Sequence, residues 1–416
     1  MLSGGTDQNG DVKMTAPNET TLYDRQIRLW GVEAQMKLSQ ARGLILGLSS
    51  VNIETAKSLI LAGISLSLHE QKKATEEDLG YNFLLSDRGD NCIGECMGEL
   101  SAKALQKMNP LVKIDHLIEQ PNLHSEAALR SLLQGGEGPD AKRYTFVIVS
   151  LEQYPLHTLV CLDKICREKK VPIWGSADAG PSSLFVGNLH THDYVIKKDK
   201  DDDQPKKRGA KKQKTGGRDD DIEGEGTATY PTFDEVLAGP LFEESEPKKK
   251  KDHDALTVLP AVLLLRYFQA QERKCTPEKT MRERLNEIGT EGLPDFMHFV
   301  RQEMKGGNSN GPAAAAAAAS ADGGDDLPPQ LVRQCEVLFK FFGVPLPSVA
   351  SPAMGAVLSQ EVGKAVTGER KPHENVIVLD PIGGGASIGR FPPRDASQKS
   401  AAVAPVVDLI DLSDDD

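Results

Sequence analysis

Residues 23–70 read YDRQIRLWGVEAQMKLSQARGLILGLSSVNIETAKSLILAGISLSLHE, and the middle of this stretch decides the fold. GLILG at 43–47 is an apolar run too short for a helix and bounded by glycines, which predicts a buried strand. Ile53, Ala56, Ile60 and Leu61 then recur at the spacing of one helical face, with Gly63 placed to cap its C-terminal end. Residues 65–69 alternate through Leu66 and Leu68, as a second strand does. A strand–helix–strand crossover of this length is parallel and belongs to an open α/β sheet.

The turn from first strand to helix is where such a sheet commonly seats a pyrophosphate, with three glycines letting the backbone approach it. Here it reads Gly47-Leu48-Ser49-Ser50-Val51-Asn52. Gly47 alone survives of the G-x-G-x-x-G pattern. Ser49 carries a side chain where the backbone should approach a ligand, and Asn52 stands where helix and strand pack tightest. This degenerate turn (Gly47, Ser49, Asn52) is expected to be a structural crossover with no ligand of its own.

Outward on the N-terminal side, Leu29, Val32 and Met36 mark a helical face that begins within YDRQIRLWG at 23–31. From the residues alone this is an amphipathic helix with solvated arginines.

Toward the C-terminus, further strands are expected at 112–117, 146–150 (FVIVS), 171–174 and 375–379 (NVIVL). Helices are expected at 101–108, about 155–169, 256–272 and 276–288. Met354, Val357, Leu358, Val362 and Ala365 lie on one more helical face, closed by Gly368. Strands alternating with helices predict a Rossmann-like, mostly parallel sheet with helices on both faces, plus disordered inserts and tails. The expected division is a disordered tail over 1–20, a first part of the α/β domain over 21–195, a charged disordered insert over 196–252, a helical insert over 253–305, an Ala/Gly-rich linker over 306–329, a second part of the domain over 330–392, and a tail over 393–416.

Composition narrows the function classes. The chain has 416 residues and a net charge of −12, so nucleic acid is not the expected partner. Its most apolar run, 256–265, is interrupted by Pro260 and is too short to span a bilayer, so no membrane role is expected. Cys92, Cys96, Cys161, Cys166, Cys275 and Cys335 form no C-x-x-C pair, so no metal site is expected, and their scatter without a secretory signal reads as reduced thiols in a cytosolic or nuclear protein.

YDRQIRLWG, the ILAG that closes the first helix, MNPLV at 108–112 and SQEVGKAVTG at 359–368 before a VIVLD strand occur in an order and spacing that resemble the ubiquitin-like-modifier activating (ThiF-like) enzymes. Within them the chain is most similar to the smaller, non-catalytic subunit of the heterodimeric SUMO-activating enzyme. The similarity spans roughly 22–118, 146–195 and 330–390. It implies an adenylation-type fold that works as a pair, with ATP, Mg and the SUMO C-terminus held mainly on the large catalytic subunit. Departures from the catalytic pattern agree with the smaller subunit. Residues 76–85 read EEDLGYNFLL where catalytic members carry an arginine, and Glu95 and Met97 stand where they carry lysines. None of the cysteines lies in the P-x-C-T setting of the family's thioester nucleophile.

The resemblance implies that Arg25 reaches the phosphates in the partner's ATP site, where a permanently charged, bidentate guanidinium suits the task. Arg28 is a weaker candidate, for which a salt bridge at the subunit interface is an equal reading. The alternatives are a stand-alone ThiF-like adenylating enzyme and a non-catalytic scaffold on a degenerate Rossmann fold. Basic runs at 205–214 and 247–251 are expected to direct the chain to the nucleus, with a cytoplasmic pool. At the C-terminus, Val406, Val407, Leu409 and Ile410 followed by an acidic end resemble a SUMO-interacting motif, a strand that would add to an exposed sheet edge.

Overall fold

The first elements follow from the glycines. In the computed structural model, Gly31 adopts φ 91°, a backbone conformation that favours glycine, and it breaks the N-terminal helical face into α1 (Asp24–Trp30) and α2 (Val32–Gln40). The structure describes residues 22–86, 89–117, 123, 125–134, 143–197, 222–241, 252–272, 279–306, 327–344, 350–381 and 385–391. The expected strand–helix–strand unit is present as β1 (Arg42–Leu46), α3 (Ser50–Leu61) and β2 (Ser65–His69), with β1 and β2 parallel. A one-turn helix α4 (Glu76–Leu79) then leads through short 3-10 turns to α5 (Met97–Met108) and β3 (Ile114–His116).

The chain returns through α6 (Glu126–Leu132) to β4 (Phe146–Ser150), which pairs with the free side of β1. From there α7 (Leu156–Lys169) leads to β5 (Ile173–Ala179), β6 (Ser182–Asn188), β7 (Thr191–Lys197) and β8 (Ile222–Thr229). A block of helices follows: α8 (Phe233–Ala238), α9 (Asp252–Glu272), α10 (Met281–Ile288), α11 (Leu293–Gly306), α12 (Pro329–Phe341) and α13 (Ala350–Thr367). Strands β9 (Val376–Asp380) and β10 (Gly385–Gly389) close the sheet.

Among the described residues this is an eight-stranded mixed sheet in the order β10-β9-β6-β5-β4-β1-β2-β3. The run β5-β4-β1-β2-β3 is parallel, and the antiparallel strands extend one side. Period-two alternation splits each central strand between two cores. Leu44, Leu46, Val147 and Val149 face a core built with α7, α9 and α12, whereas Ile45, Phe146 and Ile148 face one built with α3, α5 and α13. The chain order reverses between β1 and β4, so the Gly47 turn lies at a topological switch point.

Several expectations change. Leu61 is exposed, because α3 ends on it and turns outward; Leu29, Val32 and Met36 are exposed too, and do not form a buried face. The interval 196–252 is not featureless: β8 pairs antiparallel with β7, and α8 carries a Thr232–Glu235 capping box. The helices at 253–305 do not form an appended insert. From Val258 to Leu265 every residue of α9 apart from Pro260 is a buried hydrophobic, and the helix covers one face of the sheet, as expected of a helix that is apolar all round. Strand β5 runs five residues beyond the expected end at 174. The basic runs, Cys275, most of 306–329 and the whole 406–412 motif lie outside the described residues.

Candidate functional site

At the switch point, Gly47 has φ +80°, and its N–H donates to the His69 carbonyl at 2.9 Å. A Cβ here would meet Gln153 Oε1 at 2.1 Å and Ser150 Cβ at 2.8 Å, so the turn is packed against the end of β4. The side chains read as obstructions turn out to build the turn. Ser49 Oγ accepts from Asn52 N–H as the N-cap of α3, Asn52 Nδ2 donates to the Gly47 carbonyl at 2.8 Å, and Ser176 Oγ donates to Asn52 Oδ1 at 2.5 Å.

The amides that would face a pyrophosphate are occupied. Leu48 N–H donates to Glu70 Oε2 at 3.0 Å, and Ser50 N–H donates to Asp178 Oδ2 at 2.9 Å with Val51 N–H at 3.4 Å. Asp178 also accepts from Ser351 Oγ at 2.7 Å, and its own N–H donates to Glu152 Oε2 at 3.2 Å. Glu70, Glu152 and Asp178 are all buried. Burial pushes the Asp178 carboxyl up, and burial followed by the Asp178 charge pushes Glu152 well up. The positive end of α3 thus holds the chain's own carboxylate, and two acidic side chains fill the phosphate seat. These residues do not fit ATP at this turn.

The rest of the cleft edge is equally internal. Lys72 Nζ pairs at 2.6 Å with buried Asp78, which also accepts from Thr75 and Tyr81. Burial opposes ionisation of Asp78, but these bonds outweigh it and hold the carboxyl below its usual range. Met97 is fully buried and Glu95 is exposed, so neither position presents a cation. Among the described residues no three His, Cys, Asp or Glu side chains are grouped to hold a metal ion. Cys161 and Cys166 lie on α7 and Cys335 on α12. Burial pushes all three thiols up, Cys335 to about 12, which suits packing rather than attack.

The second candidate region lies at the other end of α3. Sequence spacing could not show that three separate motifs meet there. Tyr23, 2% exposed, accepts at Oη from Asn109 Nδ2 at 2.8 Å, and the same amide donates to the Ile60 carbonyl at 2.6 Å. Gln26 Nε2 donates to the Leu61 carbonyl and Gln35 Nε2 to the Ala62 carbonyl, both at 3.0 Å. Three successive carbonyls at the C-terminal end of α3 are therefore satisfied by side chains from α1, α2 and the end of α5. Gly63, at φ +96°, passes under the Tyr23 ring, where a Cβ would sit at 3.2 Å.

This scaffold presents α1 with none of its own residues buried. Arg25 is exposed, and no ion pair holds it among the described residues; Arg28, 77% exposed, pairs with Asp24 at 3.0 Å within the helix. Leu22, Leu29, Val32 and Met36 are exposed beside them, and Val32, Met36, Glu33, Lys37 and Gln40 line an open concavity of about 450 Å³. The 12 residues of α3 place this surface about 18 Å from the Gly47 turn. Arg25 therefore does not serve the chain's own turn.

Across 183 residues the chain is 30% identical to SUMO-activating enzyme subunit 1 of Homo sapiens, covering 44% of this chain and 48% of that protein. The chain is similar to subunit 1 of the SUMO-activating enzyme. The rat protein of the same name is 28% identical over 193 residues, covering 46% of this chain and 50% of that one. The chain thus spans about half the length of the curated relatives it matches. No family model matches it. Among solved structures, a crystal structure of PaaA aligns at a TM-score of 0.47 with 12% identity, covering 93% of this chain and 77% of that one.

Proposed function

We propose that the chain is the smaller, completing subunit of a heterodimeric SUMO-activating enzyme. In this reading it supports ATP-dependent adenylation of the SUMO C-terminus on a large catalytic subunit, which holds ATP and Mg and carries the cysteine that accepts SUMO. The observation that carries the reading is the division of the molecule into two ends. The chain's own phosphate seat is filled by Asp178 and Glu70, while Arg25, in no ion pair among the described residues, and a cluster of exposed apolar side chains lie on one surface at the other end of α3. An exposed guanidinium beside an exposed apolar patch is suited to a partner chain. Similarity to SUMO-activating enzyme subunit 1 supports ubiquitin-like activation as the setting.

Arg25 contributes fixed positive charge to the phosphates in the partner's site, and Arg28 supports it or joins the interface. The basic runs at 205–214 and 247–251 direct the assembly to the nucleus, with a cytoplasmic pool, and Val406, Val407, Leu409 and Ile410 add a weak strand contact to SUMO.

Pyrophosphate exchange tests the reading. With saturating catalytic subunit and SUMO, Arg25→Ala is expected to leave the heterodimer assembled and to slow exchange at least about tenfold, the scale of one transition-state charge contact. An unchanged rate removes the phosphate role. Exchange by the isolated wild-type chain would instead favour a stand-alone ThiF-like enzyme.

A further inference from the structure

We propose that the Tyr23–Asn109 hydrogen bond is a positioning device that fixes α1, and with it Arg25, in the orientation a partner chain meets. The use made of Arg25 rests on the function proposed above; the device itself rests on the contacts at the end of α3.

Helix α1 has seven residues, none fully buried; Trp30 packs partly against the core at its C-terminal end, which leaves the first turn, with Arg25, to be held by other contacts. At its C-terminal end Gly31 adopts φ 91°, which makes that junction a pivot. Its N-cap, Tyr23, supplies no side-chain cap to the helix, because its hydroxyl points the other way, to Asn109 Nδ2 at 2.8 Å. Asn109 is committed on both sides. Its amide also donates to the Ile60 carbonyl, and its Oδ1 accepts from Leu111 N–H at 3.0 Å. Asn109 itself is 1% exposed and ends α5 in an extended conformation ahead of Pro110.

One buried carboxamide thus ties the ends of α3 and α5 to the first turn of α1. The remaining ties act farther along: Gln26 to the Leu61 carbonyl, and Trp30 Nε1 to Gln35 Oε1 at 3.2 Å across the Gly31 break. Arg25 lies between the Tyr23 anchor and the Gln26 tie. A tyrosine ring alone would fill the space under Gly63, so the hydroxyl's task is orientation rather than packing.

Amide hydrogen exchange on the full chain, with Tyr23→Phe and Asn109→Ser as the two variants, tests the device. In either variant, exchange over 24–30 is expected to quicken about 3- to 10-fold, the worth of one hydrogen bond, while exchange over 146–150 is unchanged. Unchanged exchange over 24–30 in both variants overturns the proposal. With the catalytic subunit present, Tyr23→Phe is expected to lower kcat for pyrophosphate exchange without raising KM for ATP, and Tyr23→Phe with Arg25→Ala is expected to be no slower than Arg25→Ala alone. Additive losses mean that Tyr23 acts by another route and overturn the link to Arg25. If exchange quickens but Arg25→Ala costs nothing, the device stands and the role of Arg25 falls, which separates the two readings.

Discussion

Asp163 shows at the scale of one residue how this fold uses buried acids. It accepts from Phe233 N–H at 2.9 Å, at the start of α8, and from Asn188 Nδ2 at 2.6 Å. Asp178 does the same for α3, and Glu272 for α7 through Leu156 N–H at 2.7 Å and His157 N–H at 3.1 Å. Each carboxylate faces the positive end of a helix, yet burial pushes all three carboxyls up. For Asp163 burial outweighs the Phe233 and Asn188 bonds and places the carboxyl at about 6. An acid raised in the folded state holds its proton more tightly there than in the unfolded chain. Its contribution is therefore most favourable below the unfolded value near 4, declines as pH rises, and is least favourable above about 6. Asp163→Asn has no such titration. Urea midpoints at pH 4 and pH 7 are expected to move in the variant's favour, relative to wild type, by about 3 kcal/mol at most. A gap that is constant with pH would show that the Asp163 carboxyl titrates alike in the folded and the unfolded chain. Such residues were not legible beforehand. Ser49 and Asn52 could be seen to fill the turn, but Asp178 lies 128 residues from its partner Ser50, and nothing local to either residue announces the contact.

At the scale of elements, short apolar runs with buried faces were legible, and polar or paired ones were not. Strands β1, β4 and β9 were legible within a residue or two because each is an aliphatic run whose two faces both meet a core, and β2 because Leu66 and Leu68 alternate onto one core. Strands β6 (SSLFVGN) and β10 (GASIG) are rich in serine and glycine, and their strand conformation comes from antiparallel neighbours remote in sequence. Helix α9 is expected over 256–272 and runs over Asp252–Glu272 with Pro260 inside it, but its place on the face of the sheet was not legible. The packing of α13 on α3 depends on a single small residue. A Cβ at Gly355 would lie 2.6 Å from Glu54 Cβ and 2.9 Å from Thr55 N, so backbone must move to admit it. Replacing a helical glycine by alanine ordinarily gains up to about 1 kcal/mol of helix propensity, but here the overlap is with backbone and dominates. Gly355→Val is expected to cost about 2 kcal/mol or more, read as a lowered thermal midpoint. A midpoint at or above wild type would mean that the two helices separate without loss.

At the scale of the whole molecule, the two ends of α3 have opposite characters, and this polarity makes the last prediction possible. The Gly47 end is closed by Glu70, Glu152 and Asp178; the Gly63 end offers Arg25, Arg28, Leu29, Val32 and Met36 to solvent. The motifs that suggested an activating-enzyme subunit, YDRQIRLWG, ILAG and MNPLV, converge at this open end, a juxtaposition visible only once the chain is folded. Leu29 is 78% exposed and Met36 56%, so most of both side chains faces solvent. Replacing them by aspartate removes little folding energy, and the thermal midpoint of Leu29→Asp/Met36→Asp is expected to lie within a degree or two of wild type. If this surface receives the catalytic subunit, the same pair of charges would be buried in an apolar contact, at a cost of a few kcal/mol. Titration of the catalytic subunit against the double variant is then expected to give a Kd raised at least about tenfold. The comparison also separates docking from chemistry. Adenylation by the variant should recover as the catalytic subunit is brought to saturation, whereas Arg25→Ala should stay slow at saturation because it lacks charge rather than contact. A Kd unchanged by both aspartates would place the subunit interface on another face and leave Arg25 without a route to its partner's site.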